Sequence, residues 1–170
     1  MLTRLHAIGH YQQPLKSWVR QLKFNHKLLY ADALAQAFCA TLAKRSDPLP
    51  DILIPAPLHI NRYATRHFNQ AAEIAQSIAF LTGQKLDSKC LHRKDPTTAQ
   101  SRLKRAGRID NVQSAFSACK LETDTQHVAI VDDVLTTGAT MQAMIDALVR
   151  VNSDVKVEAW VMAIALPSVD

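Results

Sequence analysis

The chain has 170 residues, 48% of them hydrophobic and 21% charged, and a formal net charge of +5. This balance describes one soluble globular domain, long enough for its own core. The positive charge favours an anionic partner: a phosphorylated metabolite, a nucleotide or nucleic acid. No apolar run reaches the length of a membrane span, and the first residues lack the layout of a signal peptide, so the expected compartment is the cytoplasm. Cys39, Cys90 and Cys119 are far apart in sequence and form no C-x-x-C pair. They read as small buried hydrophobes in a reducing compartment, with neither a disulfide nor a zinc framework.

In chain order, the organised part opens at residues 14–24. Leu15, Trp18, Val19 and Leu22 recur at helical spacing, while Lys16, Arg20 and Lys23 fall on the other side and read as a solvated face. A second helix is expected over 28–44, with Ala31, Leu34, Ala35, Phe38 and Leu42 as its apolar stripe. The two prolines within 46–50 stop it. Residues 51–55 are a short buried strand, and the Pro-rich, polar stretch after it suggests a shaped loop. Arg62 and Arg66 there are four apart. Their forks suit a phosphate or pyrophosphate, against the plainer reading of solubilising surface arginines.

A third helix spans 69–82, with Ala71, Ile74, Ala75 and Ile78 facing the core and Gly83 as its stop. Residues 85–91 read as a weak strand pair or a strand plus turn. The run 92–111 is polar and basic, carrying Arg93, Lys94, Arg102, Lys104, Arg105 and Arg108. A stretch this long that buries so little is disordered or a functional loop, although for any one residue a solvated charged helix serves as well. Residues 112–120 return as a strand, antiparallel or at an edge. After the central segment and its helix, 155–164 form the last strand. Strands alternating with helices predict an α/β fold with a mainly parallel sheet. It forms a single domain over 1–170, with a small N-terminal helical or hood region to about 47 and a core from about 51 to 165.

The most informative stretch is 128–140. Four apolar residues, Val128, Ala129, Ile130 and Val131, suit a strand buried on both faces. Asp132 and Asp133 end it, and a loop of Thr136, Thr137, Gly138, Ala139 and Thr140 leads into a helix. A helix N-terminus offers unpaired amides and a positive dipole end. Glycine and alanine allow a phosphate close to the backbone, and the threonines add hydroxyls. The carboxylates repel phosphate but accept hydrogen bonds from sugar hydroxyls, directly or through a bound cation. The loop should therefore hold a phosphate and Asp132 with Asp133 a ribose, at the carboxyl end of a strand where α/β folds bind ligands. It is no Walker A loop, since Gly-Lys-Ser/Thr is absent.

This segment resembles the phosphoribosyl pyrophosphate (PRPP) motif of type I phosphoribosyltransferases. Pro57-Leu58-His59, Arg62, Arg66 and Phe68-Asn69-Gln70 resemble the signature of the ComF family of phosphoribosyltransferase-like proteins, as do Thr97, Gln100, Arg105, Asn111, Ala115 and Phe116. The likeness runs from about residue 15 to 165. His67 stands where the family usually has glycine. The resemblance implies a type I phosphoribosyltransferase fold. It implies a pyrophosphate cradle at Leu58, His59 and Arg62 or Arg66, and a lid over 92–111 that brings Arg105 to the reacting centre.

It also implies Mg²⁺ carried by PRPP, with no direct metal cage beyond Asp132 and Asp133. Many family members carry a Cys-rich zinc module, but nothing of that kind precedes Tyr11, so no structural zinc is expected. Two functions follow from the resemblance. One is an enzyme transferring ribose 5-phosphate from PRPP to an acceptor, with Asp132, Asp133 and Arg105 as its catalytic residues. The other is a non-catalytic nucleotide- or single-stranded-DNA-binding factor in competence and DNA uptake. The basic run suits DNA, but it has no interleaved aromatics for base stacking. A metal-dependent hydrolase is the weakest reading, since the further carboxylates or histidines of a metal cage are missing.

Overall fold

The computed structural model describes residues 2–58, 68–94 and 115–165. Five strands form a parallel sheet in the order β1 (Leu2–His10), β7 (Lys156–Ile164), β6 (His127–Leu135), β2 (Ile52–Pro55) and β3 (Lys85–Leu86). Strands β4 (Leu91–Arg93) and β5 (Phe116–Ala118) form a separate antiparallel pair. The helices are α1 (Leu15–Asn25), α2 (Leu29–Leu42), α3 (Gln70–Thr82) and α4 (Ala139–Val151). The predicted α/β class with a mainly parallel sheet is the architecture found.

Side chains alternate across a strand, so each central strand feeds two cores. Ile54, Val128, Ile130, Val157 and Ala159 point to one face and pack with Met144, Ile145 and Leu148 of α4 and with Leu91 and Phe116 of the β4–β5 pair. Leu53, Ala129, Val131 and Trp160 point to the other and pack with α1, α2 and α3. The predicted stripes of α2 and α3 are buried residue for residue. Gly83 ends α3 in the left-handed conformation, φ 75°, where glycine carries no Cβ penalty. No helix among the described residues is long and apolar enough to cross a membrane.

Two expectations need correction. Residues 2–10, where the sequence suggested no element, are strand β1 at the sheet edge, so the N-terminal region is more than helical. An edge strand has only one covered side and tolerates Arg4, His6 and His10, which hides it from a reading based on apolar runs. Cys90 and Cys119 are joined as a disulfide, with Cα atoms 4.8 Å apart. They flank the β4–β5 pair on facing strands, a neighbourhood that a sequence separation of 29 conceals. Cys39 alone is free.

At the amino end of the sheet, Glu158 of β7 is buried. Arg45 grips both its oxygens, at 2.8 and 2.7 Å, and Trp160 Nε1 donates to it at 2.8 Å. His127 lies 3.1 Å away. Burial alone would raise the Glu158 carboxyl, but hydrogen bonds from Arg45 and Trp160 outweigh it and hold the group at about 2. The cluster ties the α2–β2 connection to strands β6 and β7.

Candidate functional site

Strands β2 and β6 are neighbours in the sheet, yet the chain leaves them towards opposite faces. After β2 it continues to α3, packed with α1 and α2. After β6 it turns into α4 on the other side. Such a divergence opens a crevice at the carboxyl ends of the strands. A cavity of about 560 Å³ lies there.

Asp132, Asp133, Thr136, Gly138 and Thr140 line this cavity, with Leu58 opposite them. All six are residues that the sequence singled out. Thr137 and Ala139 belong to the same loop but line an adjoining hollow with Leu2 and Leu5. His59, Arg62, Arg66 and Arg105 lie outside the described residues, as do Thr97, Gln100 and Asn111.

The loop is shaped for an anion. Gly138 has φ +77°, and a Cβ there would meet nothing within 4 Å, so backbone conformation and not space selects glycine. The α4 ladder begins with the Gln142 amide donating to the Gly138 carbonyl at 2.8 Å. Before that bond, the Ala139 amide reaches Thr137 Oγ1 at only 3.5 Å. Among the described residues no acceptor takes up the amides of Thr140 and Met141. Thr136 and Thr140 are exposed, which leaves their hydroxyls available. α4 is 13 residues long, enough for a developed dipole at this end.

The two aspartates are not equivalent. Asp132 is half-buried, and its Oδ1 accepts the Asp133 amide at 2.8 Å. Burial first, and then the neighbouring Asp133 charge, push its carboxyl up to about 7. Asp133 is 4% exposed. Its Oδ2 lies 2.8 Å from the Lys23 ammonium, off the line of a hydrogen bond. No donor among the described residues hydrogen-bonds that oxygen. That oxygen is buried and paired in charge with Lys23, and Asp133 itself lines the cavity.

Lys23, Tyr11, Gln70 and Arg93 also line the cavity; the sequence singled out none of them individually for it, Arg93 entering only as part of the 92–111 run. Lys23 was indistinguishable from Lys16 and Arg20 on the polar side of α1. Tyr11 follows β1, where its amide donates to the Ile164 carbonyl at 2.8 Å, so missing β1 meant missing Tyr11. Gln70 carried a signal, as part of Phe68-Asn69-Gln70. Asn69 caps α3, its side chain accepting from Ala71 N at 3.0 Å and donating to the Ala56 carbonyl at 2.9 Å. That pins the helix start to the loop after β2 and turns Gln70, 5% exposed, towards the cavity.

No family model matches the chain. DNA utilization protein YhgH of Salmonella typhi is 36% identical over 163 residues, 92% of this chain and 70% of that protein. DNA utilization protein YhgH of Escherichia coli K12 is 32% identical over 161 residues, with the same two shares, 92% and 70%. Competence protein F of Haemophilus influenzae Rd is 32% identical over 162 residues, again 92% and 70%. The solved chain of TT1426 from Thermus thermophilus is similar with a TM-score of 0.41 and 15% identity, over 84% of this chain and 85% of that one. That likeness is too loose to argue from.

Proposed function

The chain belongs to the ComF family, that of DNA utilization protein YhgH and Competence protein F, and from this premise we propose that its cavity binds the 5-phosphoribosyl group of PRPP or of a nucleotide in the service of DNA utilization. One observation carries the proposal. A single crevice combines unclaimed helix-start amides with a carboxylate pair, one member buried and one half-buried, the complementary needs of a phosphate and a ribose. The 5′-phosphate belongs at residues 136–140 and the ribose hydroxyls at Asp132 and Asp133.

With PRPP as ligand, the chemistry that this arrangement supports is transfer of ribose 5-phosphate to an acceptor, with pyrophosphate leaving. Positive charge that develops on the ribose ring would lie beside the two carboxylates. Leu58, His59, Arg62 and Arg66 are the proposed pyrophosphate side, and Arg105 the proposed additional catalytic charge. Magnesium prefers hard oxygen ligands and keeps several waters. It fits here as a passenger on the ligand's own phosphates, because Asp133 Oδ2 already faces an ammonium. When bound, it would supply charge neutralisation on the leaving pyrophosphate.

The names of the relatives favour a second reading: a non-catalytic factor that binds nucleotide or single-stranded DNA. Calorimetric titration with PRPP plus Mg²⁺, a nucleoside 5′-monophosphate and a short oligodeoxynucleotide separates the readings, together with an assay for pyrophosphate release. Saturable PRPP binding with release in the presence of a base supports transfer. Nucleotide binding without release supports the factor. Strand binding alone, with steep salt dependence and no sugar phosphate bound, sinks the sugar-phosphate proposal.

A further inference from the structure

The acidic pair has a cation of its own. Lys23 leaves the last turn of α1, and Leu15, Val19 and Leu22 bury that helix against the sheet. Packing therefore fixes the backbone from which the lysine extends. On the same helix, Lys16 and Arg20 are exposed, as solubilising side chains are. The Lys23 side chain is only 19% exposed, and its ammonium lies 2.8 Å from Asp133 Oδ2. Both residues line the cavity with Thr136, Gly138 and Thr140.

Two adjacent carboxylates in a partly desolvated cavity repel each other and need a compensating charge. A divalent ion bound to Asp133 Oδ2 would lie against the ammonium, and the repulsion between the two cations disfavours it there. A sugar hydroxyl faces no such conflict, because it is neutral and the carboxylate has further lone-pair positions.

We infer that Lys23 is the resident counter-cation of the acidic pair, so that the cavity binds ribose 5-phosphate or a nucleoside 5′-monophosphate without a divalent metal. The inference rests on the proposed sugar-phosphate reading and adds metal independence to it. A metal is then needed only by ligands whose pyrophosphate brings one.

Calorimetric titration of ribose 5-phosphate into the full chain, once in EDTA and once in MgCl₂, tests this. The unmodified protein should bind with affinities within about twofold of each other under the two conditions. Lys23→Met should weaken binding in EDTA by about tenfold or more, the scale of a lost charged partner. Lys23→Arg should restore most of it. Binding by the unmodified protein only with Mg²⁺ overturns the inference and leaves the sugar-phosphate reading standing, as does Lys23→Met binding normally in EDTA. No binding under either condition removes both. Thermal melting checks that Lys23→Met folds; should it not, the unmodified protein and Lys23→Arg decide.

Discussion

Replacing Glu158 with alanine is expected to lower the unfolding free energy by about 3–5 kcal/mol, the range for stripping one partner from a buried ion pair. The variant would leave the Arg45 guanidinium, whose side chain is 4% exposed, without its carboxylate. It would also orphan Trp160 Nε1, inside the core. Arg45→Ala should cost a similar amount. The double variant should lose clearly less than the sum, because each single change already strands the other partner. Urea unfolding of the four proteins measures this. A loss below about 1 kcal/mol for Glu158→Ala would place the cluster among ordinary surface pairs. The same cluster sets an acid limit. Its carboxyl is depressed in the folded chain, so its stabilisation is full above the ordinary carboxylate range and is lost as the pH falls towards about 2.

Asp133→Asn is expected to be the most damaging conservative change for ligand binding. It keeps the shape of a side chain that is 4% exposed while removing the acceptor charge that the proposal assigns to the sugar. Affinity for ribose 5-phosphate should fall by roughly 10- to 100-fold, the scale of a charged hydrogen-bond partner. Affinity for inorganic phosphate, which needs only the loop at 136–140, should change little. Parallel titrations measure the two ligands. Equal losses for both would mean that the aspartate supports the loop and does not meet the sugar.

Much of this was visible in the chain itself. The apolar run ending in Asp132-Asp133, and the small-residue loop after it, place β6, the crevice and the lining residues Asp132, Asp133, Thr136, Gly138 and Thr140 from local pattern alone. The helices α2 and α3 were equally plain, because burial on one side leaves a 3.6-residue imprint. The rest depended on contacts distant in sequence. Strand β1 is polar because it lies at an edge, and its pairing to β7 spans almost the whole chain. Lys23 is a site residue only because α1 packs near the carboxyl end of β6, and nothing in its neighbours marks it. Cys90 and Cys119 meet because β4 and β5 pair. Phe68-Asn69-Gln70 was recognisable as a signature, but its use, a cap that turns Gln70 inward, required coordinates.

The most direct test of a sugar phosphate at the end of β6 is amide chemical-shift mapping of the ¹⁵N-labelled chain titrated with ribose 5-phosphate. The largest shifts should fall on Gly138, Ala139, Thr140 and Met141 and on Asp132 and Asp133, with downfield movement of the Thr140 and Met141 amides as they gain an anionic acceptor. Saturable shifts confined to any other surface, with those amides unmoved, would contradict the account.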